Sequence, residues 1–286
     1  MASYSEGFRI ATNVGAMNAY NALNQINQEL QTDQLQLATG KRINSAGDDA
    51  AGYTIGTKLQ VRSAGLSQAL TNVSDAQSVL STAEGGLQAI NNILSNVKTL
   101  VMEAGNAGLG TDELTAIGTQ IDDYMQEIDQ TVSQTKFNGK ALLDTTFVDQ
   151  SFQVGADSGD TLAVSISTAV DSAGLRLEDL ASTINTGTSS VSSADIATSL
   201  TSVDTAINTV SQVLQYVGSL ESRLNFKQQV LNTSLTNVQA ATSAIMDADV
   251  AQVQVDSTKL QILQQTATAE LAQANSTPSA VLKLFQ

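Results

Sequence analysis

The sequence predicts a mainly α protein: a long antiparallel helical coiled-coil rod with paired terminal helices and a small β-hairpin region in the middle. Three observations support this fold class. Apolar residues recur every seven positions along two long stretches of the chain. The single proline of the 286 residues is Pro278, so no proline interrupts a helix before the C-terminal tail. Two short strand-like segments flank a turn-rich link near the middle.

The first long helix is predicted between residues 59 and 104, where two rows of residues repeat with a period of seven. The second row lies three positions after the first and is apolar except at Arg62. Sustained heptads indicate a helix that packs against another along a narrow seam. The rows are Leu59, Leu66, Val73, Leu80, Leu87, Leu94 and Val101, and then Arg62, Ala69, Ala76, Ala83, Ile90, Val97 and Ala104.

The second long helix is predicted over residues 196–245, from apolar residues in one heptad register. At 42% hydrophobic content, such a run has a chance probability on the order of 0.001. Each helix would extend roughly 70–80 Å, and the economical arrangement pairs the two side by side. A shorter helix is predicted for 111–134, with a polar, acidic start. The heptad residues of the second long helix are Ile196, Val203, Val210, Val217, Leu224, Leu231, Val238 and Ile245.

The two ends of the chain carry narrower apolar stripes, also with a period of seven, among many Ala, Gln, Asn and Thr residues. A single helix of this kind is marginal in water, because its packing barely offsets its ordering entropy. The terminal helices are therefore predicted to pair with each other or with another copy. The residues predicted to pack, at the termini and in the seam, are Leu23, Ile26, Leu30, Leu37, Val253, Leu260, Leu263 and Leu271, with Leu87, Leu94, Leu224 and Leu231.

Residues 137–192 differ from the rest and predict a small hairpin region. The segments FQVG at 152–155 and TLAVSIS at 161–167 are strand-like and are separated by the turn-rich GADSGD. The following stretch, 182–193, is rich in Ser and Thr and is predicted to be exposed.

Composition restricts the classes of function. The chain has 28 acidic and 13 basic residues, a formal net charge of −15, which argues against binding nucleic acid or anionic membrane surfaces. No apolar run approaches the ~20 residues of a membrane span, so membrane insertion is not expected. The absence of His and Cys removes the best proton-transfer group near neutral pH and the soft metal ligands. We therefore expect no enzyme activity, catalytic residue, metal site or cofactor.

Residues 39–52 read TGKRINSAGDDAAG and invite three interpretations. A phosphate-binding loop fails, because Gly40-Lys41 is followed by Arg42 and no glycine lies five positions before Gly40. A calcium loop fails, because Asp48 and Asp49 lack alternating oxygen ligands and a later Glu. The remaining prediction is a connector in which Gly40 ends one helix and residues 45–49 cap the next, with a weak charge pair between Arg42 and the two Asp.

Two other acidic pairs, Asp122-Asp123 and Asp247/Asp249, are candidates for catalytic carboxylates. Glycosidase chemistry needs two carboxyl groups across a cleft with separated pKa values. Acids on the polar face of a long helix are usually solvated surface, and this interpretation is favoured.

Several motifs, in the correct order, resemble bacterial flagellin across nearly the whole chain. The N-terminal part contains ATNVGAMNAYNALN and LATGKRINSAGDDAAG, followed by STAEGGLQAINNIL at 81–94. Further matches are EIDQTVSQTKFNGKALL at 127–143 and FQVGA at 152–156. The C-terminal part contains SRLNFKQQVL, MDADVA and KLQILQQTATAELAQANSTPSAVLKLF.

The resemblance implies a subunit that is exported unfolded through the flagellar secretion channel and polymerises outside the cell into the flagellar filament. Residues 1–45 and 247–286 would be inner-core helices, and residues 46–136 and 193–246 the outer-core rod. The hairpin region 137–192 would stand in place of the large variable outer domains that many flagellins carry. The implied partners are other copies, a flagellar secretion chaperone, and cap and hook-junction proteins. The matching connector packs against neighbouring subunits in the family, so Arg42, Asp48 and Asp49 would be polymerisation residues.

The resemblance also implies an altered site for a host Toll-like receptor. Many flagellins are detected through a stretch resembling LQRVREL, which corresponds here to LSNVKTL at 94–100. Asn96 and Lys98 replace the two Arg, Leu100 is retained, and Gln120 stands at an acidic position of the next helix. Because neither Asn nor Lys reproduces the planar donor fork of Arg, weak or absent receptor activation is expected.

Two alternatives remain at this point. A flagellar hook–filament junction protein has related termini, although it would match the central motifs less well. A non-flagellar coiled-coil module would lack the matched motifs at both ends.

Overall fold

The computed structural model describes residues 12–185 and 191–284, with side chains as far as residue 276. Within these residues the fold is mainly α, as predicted. The chain divides into two compact units, which we call the terminal unit (Met1–Val61 with Asn237–Gln286) and the central unit (Arg62–Thr236). In chain order the elements are α1 Val14–Thr39, α2 Ala50–Ala104, α3 Thr111–Gln134, β1 Lys136–Phe137, β2 Lys140–Ala141, β3 Gln150–Gln153, β4 Thr161–Val164, α4 Leu180–Ile184, α5 Ser193–Met246 and α6 Val250–Leu284.

In the central unit, α2 and α5 run antiparallel with their heptads in register. The Gln77 amide donates to Asn225 Oδ1 at 2.9 Å. Twenty-one residues further along α2 and twenty-one residues back along α5, Lys98 Nζ lies 2.6 Å from Asp204 Oδ1. Because both steps equal three heptads, the same faces of the two helices meet at both places.

Apart from the exposed Arg62 and the half-buried Ile196, the heptad residues of this unit are almost completely inaccessible to solvent. Val73, Leu87 and Leu94 on α2 and Leu224 on α5 are each 0% exposed, and Leu231 is 5% exposed. Arg62, the polar member of the α2 repeat, instead reaches Asp157 Oδ2 at 3.3 Å. The seam of the central unit is therefore continuous and apolar beyond Arg62.

The third helix begins after Gly110, whose N–H donates to Glu113 Oε2 at 3.0 Å. Its apolar residues recur at three- and four-residue spacing and form one buried face. On its flank, both oxygens of Asp129 accept hydrogen bonds from Ser172, from the N–H and the hydroxyl, each at 2.8 Å. This bidentate contact fixes the loop that follows β4 against α3.

The middle of the chain contains two antiparallel hairpins. β3 pairs with β4, placing Phe152 opposite Leu162, close to the predicted strands. β1 pairs with β2 through a two-residue turn, Asn138-Gly139, with φ values of 49° and 80°. Positive φ at both residues is typical of a type I′ turn, which Asn-Gly favours. This first hairpin was not predicted, although its turn signal is present in the sequence.

The predicted exposed stretch 182–193 is only partly correct. The short helix α4 covers its first residues, and Ile184 is 0% exposed. Residues 186–190 of this stretch lie outside the described part of the chain.

We predict that Leu94→Asp abolishes cooperative melting of the central unit. An unpaired buried charge costs several kcal/mol, a large part of a typical domain stability of about 5–15 kcal/mol. Thermal unfolding followed by circular dichroism provides the measurement, and Asn92→Asp, which adds the same charge at an exposed position of α2, is the control. Identical melting of the two variants would contradict the role of Leu94.

Candidate functional site

Two connectors of the terminal unit lie side by side: residues 40–49 between α1 and α2, and residues 247–249 between α5 and α6. Gly40 ends α1 at φ 68°, the left-handed conformation that glycine adopts without steric cost. Lys41 and Asp247 form an antiparallel bridge. The Ala248 N–H donates to the Gly40 carbonyl at 2.9 Å. The sequence correctly predicted a connector, but not that it pairs with a second connector some two hundred residues later.

Each connector ends on an aspartate that caps the next helix. Asp49 Oδ1 accepts the N–H groups two and three residues on, at 3.1 and 2.9 Å. Asp249 Oδ1 does the same at the start of α6, at 3.0 and 3.2 Å. A cap of this kind is typically worth about 1 kcal/mol and places negative charge at the positive end of the helix dipole. Asp249 was considered only as half of an acidic pair, and its capping role was missed.

Asp48 stabilises the turn inside the first connector. Its Oδ2 accepts hydrogen bonds from the N–H groups of Asn44 and Ser45, both at 2.9 Å. These backbone hydrogen bonds favour the charged carboxylate and lower the pKa of Asp48 below its ordinary value.

The predicted charge pair between Arg42 and the two aspartates is wrong. The Arg42 guanidinium donates to the Ile245 carbonyl at 2.6 Å, and its own N–H donates to the Met246 carbonyl at 2.7 Å. Asp48 and Asp49 are instead occupied by backbone N–H groups. Arg42 therefore satisfies carbonyl groups at the C-terminal end of α5, which have no partner within the helix.

Two buried side chains anchor the connectors, and the sequence analysis missed both. Ile43 is 1% exposed and Met246 is 3% exposed. A Cβ at Gly52 would collide with Ile43 and Asp49, and a Cβ at Gly56 would collide with Met246. The four-residue spacing of these glycines on α2 is the sequence signal that indicates close packing.

The terminal helices α1 and α6 pair with each other, as predicted, and run antiparallel. The Asn13 amide donates to the Ala274 carbonyl at 2.7 Å, and the Gln264 amide donates to Asn27 Oδ1 at 2.6 Å. Leu30 and Leu260 are 8% and 9% exposed. The other residues predicted to pack here are half-buried, namely Leu23, Ile26, Leu37, Val253 and Leu271.

Large apolar side chains also lie on the outward faces of this helix pair. Leu263, predicted to pack, is 40% exposed. Clustered exposed apolar surface marks an interaction site, so these side chains are available to other molecules. The other large apolar side chains exposed on α1 and α6, with their exposed fractions, are Val14 at 45%, Met17 at 59%, Tyr20 at 55%, Leu35 at 50%, Val250 at 53%, Val255 at 63% and Ile262 at 59%.

One carboxylate lies in an unfavourable position beside the α1–α6 contact. Asp33 Oδ2 is inaccessible to solvent and has no hydrogen-bond partner. Burial, and then the charges of Asp256 on α6 and Glu29 on α1, raise the pKa of Asp33 above its ordinary value of 3.8.

The residues of the predicted receptor patch occupy different environments. Asn96 on α2 and Gln120 on α3 are exposed, and Leu100 is half-buried. Lys98, which is predicted to stand in place of the second Arg, lies 2.6 Å from Asp204 Oδ1.

Residues 10–147 match the family described as bacterial flagellin N-terminal helical region, and residues 200–285 match the bacterial flagellin C-terminal helical region. The chain belongs to the bacterial flagellin family. It is 34% identical to a flagellin of Halalkalibacterium halodurans, over 96% of this chain and 98% of that one. It is 36% identical to a flagellin of Bacillus subtilis, over 97% of this chain and 100% of that one.

Among solved structures, a Vibrio parahaemolyticus protein described as flagellar hook-associated shares the fold, at a TM-score of 0.59 and 15% identity over 70% of this chain and all of that one. Family membership makes this flagellin a structural subunit of the extracellular flagellar filament.

No helix in the described part of the chain is long and apolar enough to cross a membrane. The described residues also contain no group of three or more acidic side chains that could hold a metal ion.

We predict that Asp33→Asn strengthens the α1–α6 contact at pH 7. Because the folded-state pKa of Asp33 is raised, the native protein favours the protonated carboxyl, and stability falls as pH rises through the folded pKa. The gain should disappear at pH 3, where wild-type Asp33 is also neutral. Hydrogen–deuterium exchange of α1 and α6 amides measures it, with exposed Asp247→Asn as the control. Equal protection of wild type and variant at pH 7 would contradict the prediction that the charged Asp33 carboxylate weakens the α1–α6 contact.

Proposed function

We propose that copies of this flagellin join through the outward faces of their paired terminal helices, after export of the unfolded chain. The observation that carries this proposal is the exposed apolar surface of α1 and α6. In the division that we propose, residues 1–45 and 247–286 form the inner core of the filament, and residues 46–136 and 193–246 form the outer core. Residues 137–192 form the hairpin region.

The helix pair favours assembly because, among the described residues, α1 and α6 make their extensive helix–helix contact with each other. Side chains such as Ile262 and Val255, at 59% and 63% exposure, lose most of their contact with water only when another copy covers them. At about 25 cal/mol per Å² of apolar area, this burial adds the stability that a marginal terminal pair lacks. A contact between two different faces that does not close on itself produces a helical filament.

The same surface supports the proposed partners. A chain that exposes apolar terminal helices before assembly needs them covered, which is consistent with a flagellar secretion chaperone and with cap and hook-junction proteins. The role that we propose is structural and not enzymatic, since the chain lacks His and Cys and its acidic pairs serve as caps or solvated surface.

We predict that Ile262→Asp prevents filament formation while leaving the monomer as helical as the wild type. A charge on the outward apolar face must be desolvated at every subunit contact. The control is Gln261→Asp, which adds the same charge one residue earlier, on the polar face of α6 formed by Gln254, Gln261 and Gln265. Electron microscopy and sedimentation provide the readout.

Filaments of normal length from Ile262→Asp protein would overturn the proposed contact face. The same preparation of wild-type protein tests the alternative of a hook–filament junction protein, which would remain monomeric or form short rings. Identity to flagellins over nearly the full length supports the filament subunit over this alternative.

We also propose that this flagellin activates the host Toll-like receptor weakly or not at all. Asn96 and Gln120 are exposed but lack the charges of the family pattern. Lys98 retains a charge, but its ammonium is held by Asp204 and must exchange that partner to reach a receptor. Interface anchors of this kind are often worth roughly 2–4 kcal/mol.

We predict that the double variant Asn96→Arg, Gln120→Glu gains receptor activation relative to the wild type, by roughly 30-fold or more in potency. A receptor-reporter assay with purified monomer measures the gain. Asn92→Arg, on an exposed position one turn earlier on α2, is the control for added positive charge. Full potency of the unmodified protein would refute the proposal.

A further inference from the structure

An exposed stripe of apolar and basic side chains runs along α5 in the central unit. Phe226 is 66% exposed, Val230 is 43% exposed and Tyr216 is 41% exposed. Arg223 and Lys227, both exposed, lie between them in sequence. Phe226, Lys227 and Val230 follow Arg223 by three, four and seven residues, and Tyr216 precedes it by seven. These spacings place all five residues on one side of the helix. We call these five residues the α5 stripe.

The two cations of the α5 stripe form no ion pair with any residue that the structure describes. Among the described residues, the ion pairs are Arg62 with Asp157 and Lys98 with Asp204. Phe226 and the two cations instead line an open groove of about 330 Å³, together with Leu162 and Ser222. An aromatic ring and two free cations on one side of a helix form a surface that suits an acidic partner.

The central unit also carries the complementary surface. From Thr111 to Gln134, α3 contains six acidic residues and no basic one. Asp123 and Glu127 lie on the face opposite the buried row of α3, and both are exposed. Neither takes part in an ion pair within the described residues. Their separation of four residues equals that of Arg223 and Lys227.

We propose that the α5 stripe docks on the outward face of α3 of a second copy of this chain, so that Arg223 and Lys227 meet Asp123 and Glu127. This inference rests on the proposed function, in which copies assemble into a filament. A second copy is favoured because each copy carries a net charge of −15, so copies repel unless basic and acidic surfaces meet where they touch. Phe226 then becomes buried between the two helices and supplies the apolar part of the contact.

Charge reversal on each surface, followed by their combination, tests the contact. The variants are Arg223→Glu with Lys227→Glu, and Asp123→Lys with Glu127→Lys. We expect each double variant to raise the critical concentration for polymerisation by roughly tenfold or more, because like charges then face each other. Combining all four changes recreates opposite charges and is expected to restore polymerisation to within about threefold of wild type.

The control is Lys136→Glu with Lys140→Glu, which alters net charge as the first double variant does, at exposed positions of the first hairpin. Its expected critical concentration is close to that of wild type. Circular dichroism of each monomer shows whether the variants remain folded. Because Glu and Lys favour helices, these exposed replacements are expected to preserve α3 and α5.

The outcomes separate this inference from the proposed function. If wild type and both double variants all polymerise equally, the α5 stripe is not a subunit contact, whereas polymerisation itself stands. If both double variants fail and the fourfold variant fails as well, the pairing with α3 is overturned. If folded wild-type protein forms no filaments under any condition, the result contradicts the proposed function, on which this inference rests.

Discussion

The terminal helices cannot bury their own apolar surface, because a pair of helices offers each member only one neighbour. In the central unit, residues such as Leu94 and Leu224 are 0% exposed. In the terminal unit, the best covered leucines, Leu30 and Leu260, still retain 8% and 9% exposure, and Ile262 retains 59%. The difference reflects the number of packing partners rather than residue type, since both units use Leu, Ile and Ala. Under the proposed function, this deficit is the physical basis for assembly.

The hydrogen bonds of the two connectors restrict the backbone conformations that can link the terminal helices to α2 and α5. A helix end leaves several backbone groups without partners, and here those groups are satisfied locally and reciprocally. Asp49 and Asp249 cap the helices that follow, and Arg42 binds carbonyl groups at the end of α5. The resulting order comes mainly from hydrogen bonds to the backbone, which are directional, and not from the charge pairs that exposed acids and bases form only weakly.

The sequence predicted the features that depend on local spacing and missed those that depend on distant partners. The heptads located α2 and α5, and a polar, acidic start located α3, because periodicity and capping act within a few turns. The Asn138-Gly139 turn was equally local, and its hairpin could have been predicted. By contrast, Met246 packs against Gly56, and no spacing rule connects residues so far apart. The exposure of Leu263 could not be predicted either, since a narrow apolar stripe in the sequence does not show how many helices will pack against that stripe.

Charge opposes the association that the apolar surface favours. Acids outnumber bases by 28 to 13, and one of them, Asp33, stands beside Asp256 at the helix contact without a hydrogen-bond partner for one oxygen. Exposed charges interact over a Debye length of about 8 Å at physiological ionic strength, so repulsion acts chiefly when faces come close. Apolar burial provides the attraction but little orientation, whereas charge penalises misaligned contacts. In a chain with few basic residues, the positions of those residues can therefore determine which surfaces come into contact. On the exposed side of α5, the two basic residues Arg223 and Lys227 flank Phe226, the most exposed aromatic ring of the central unit.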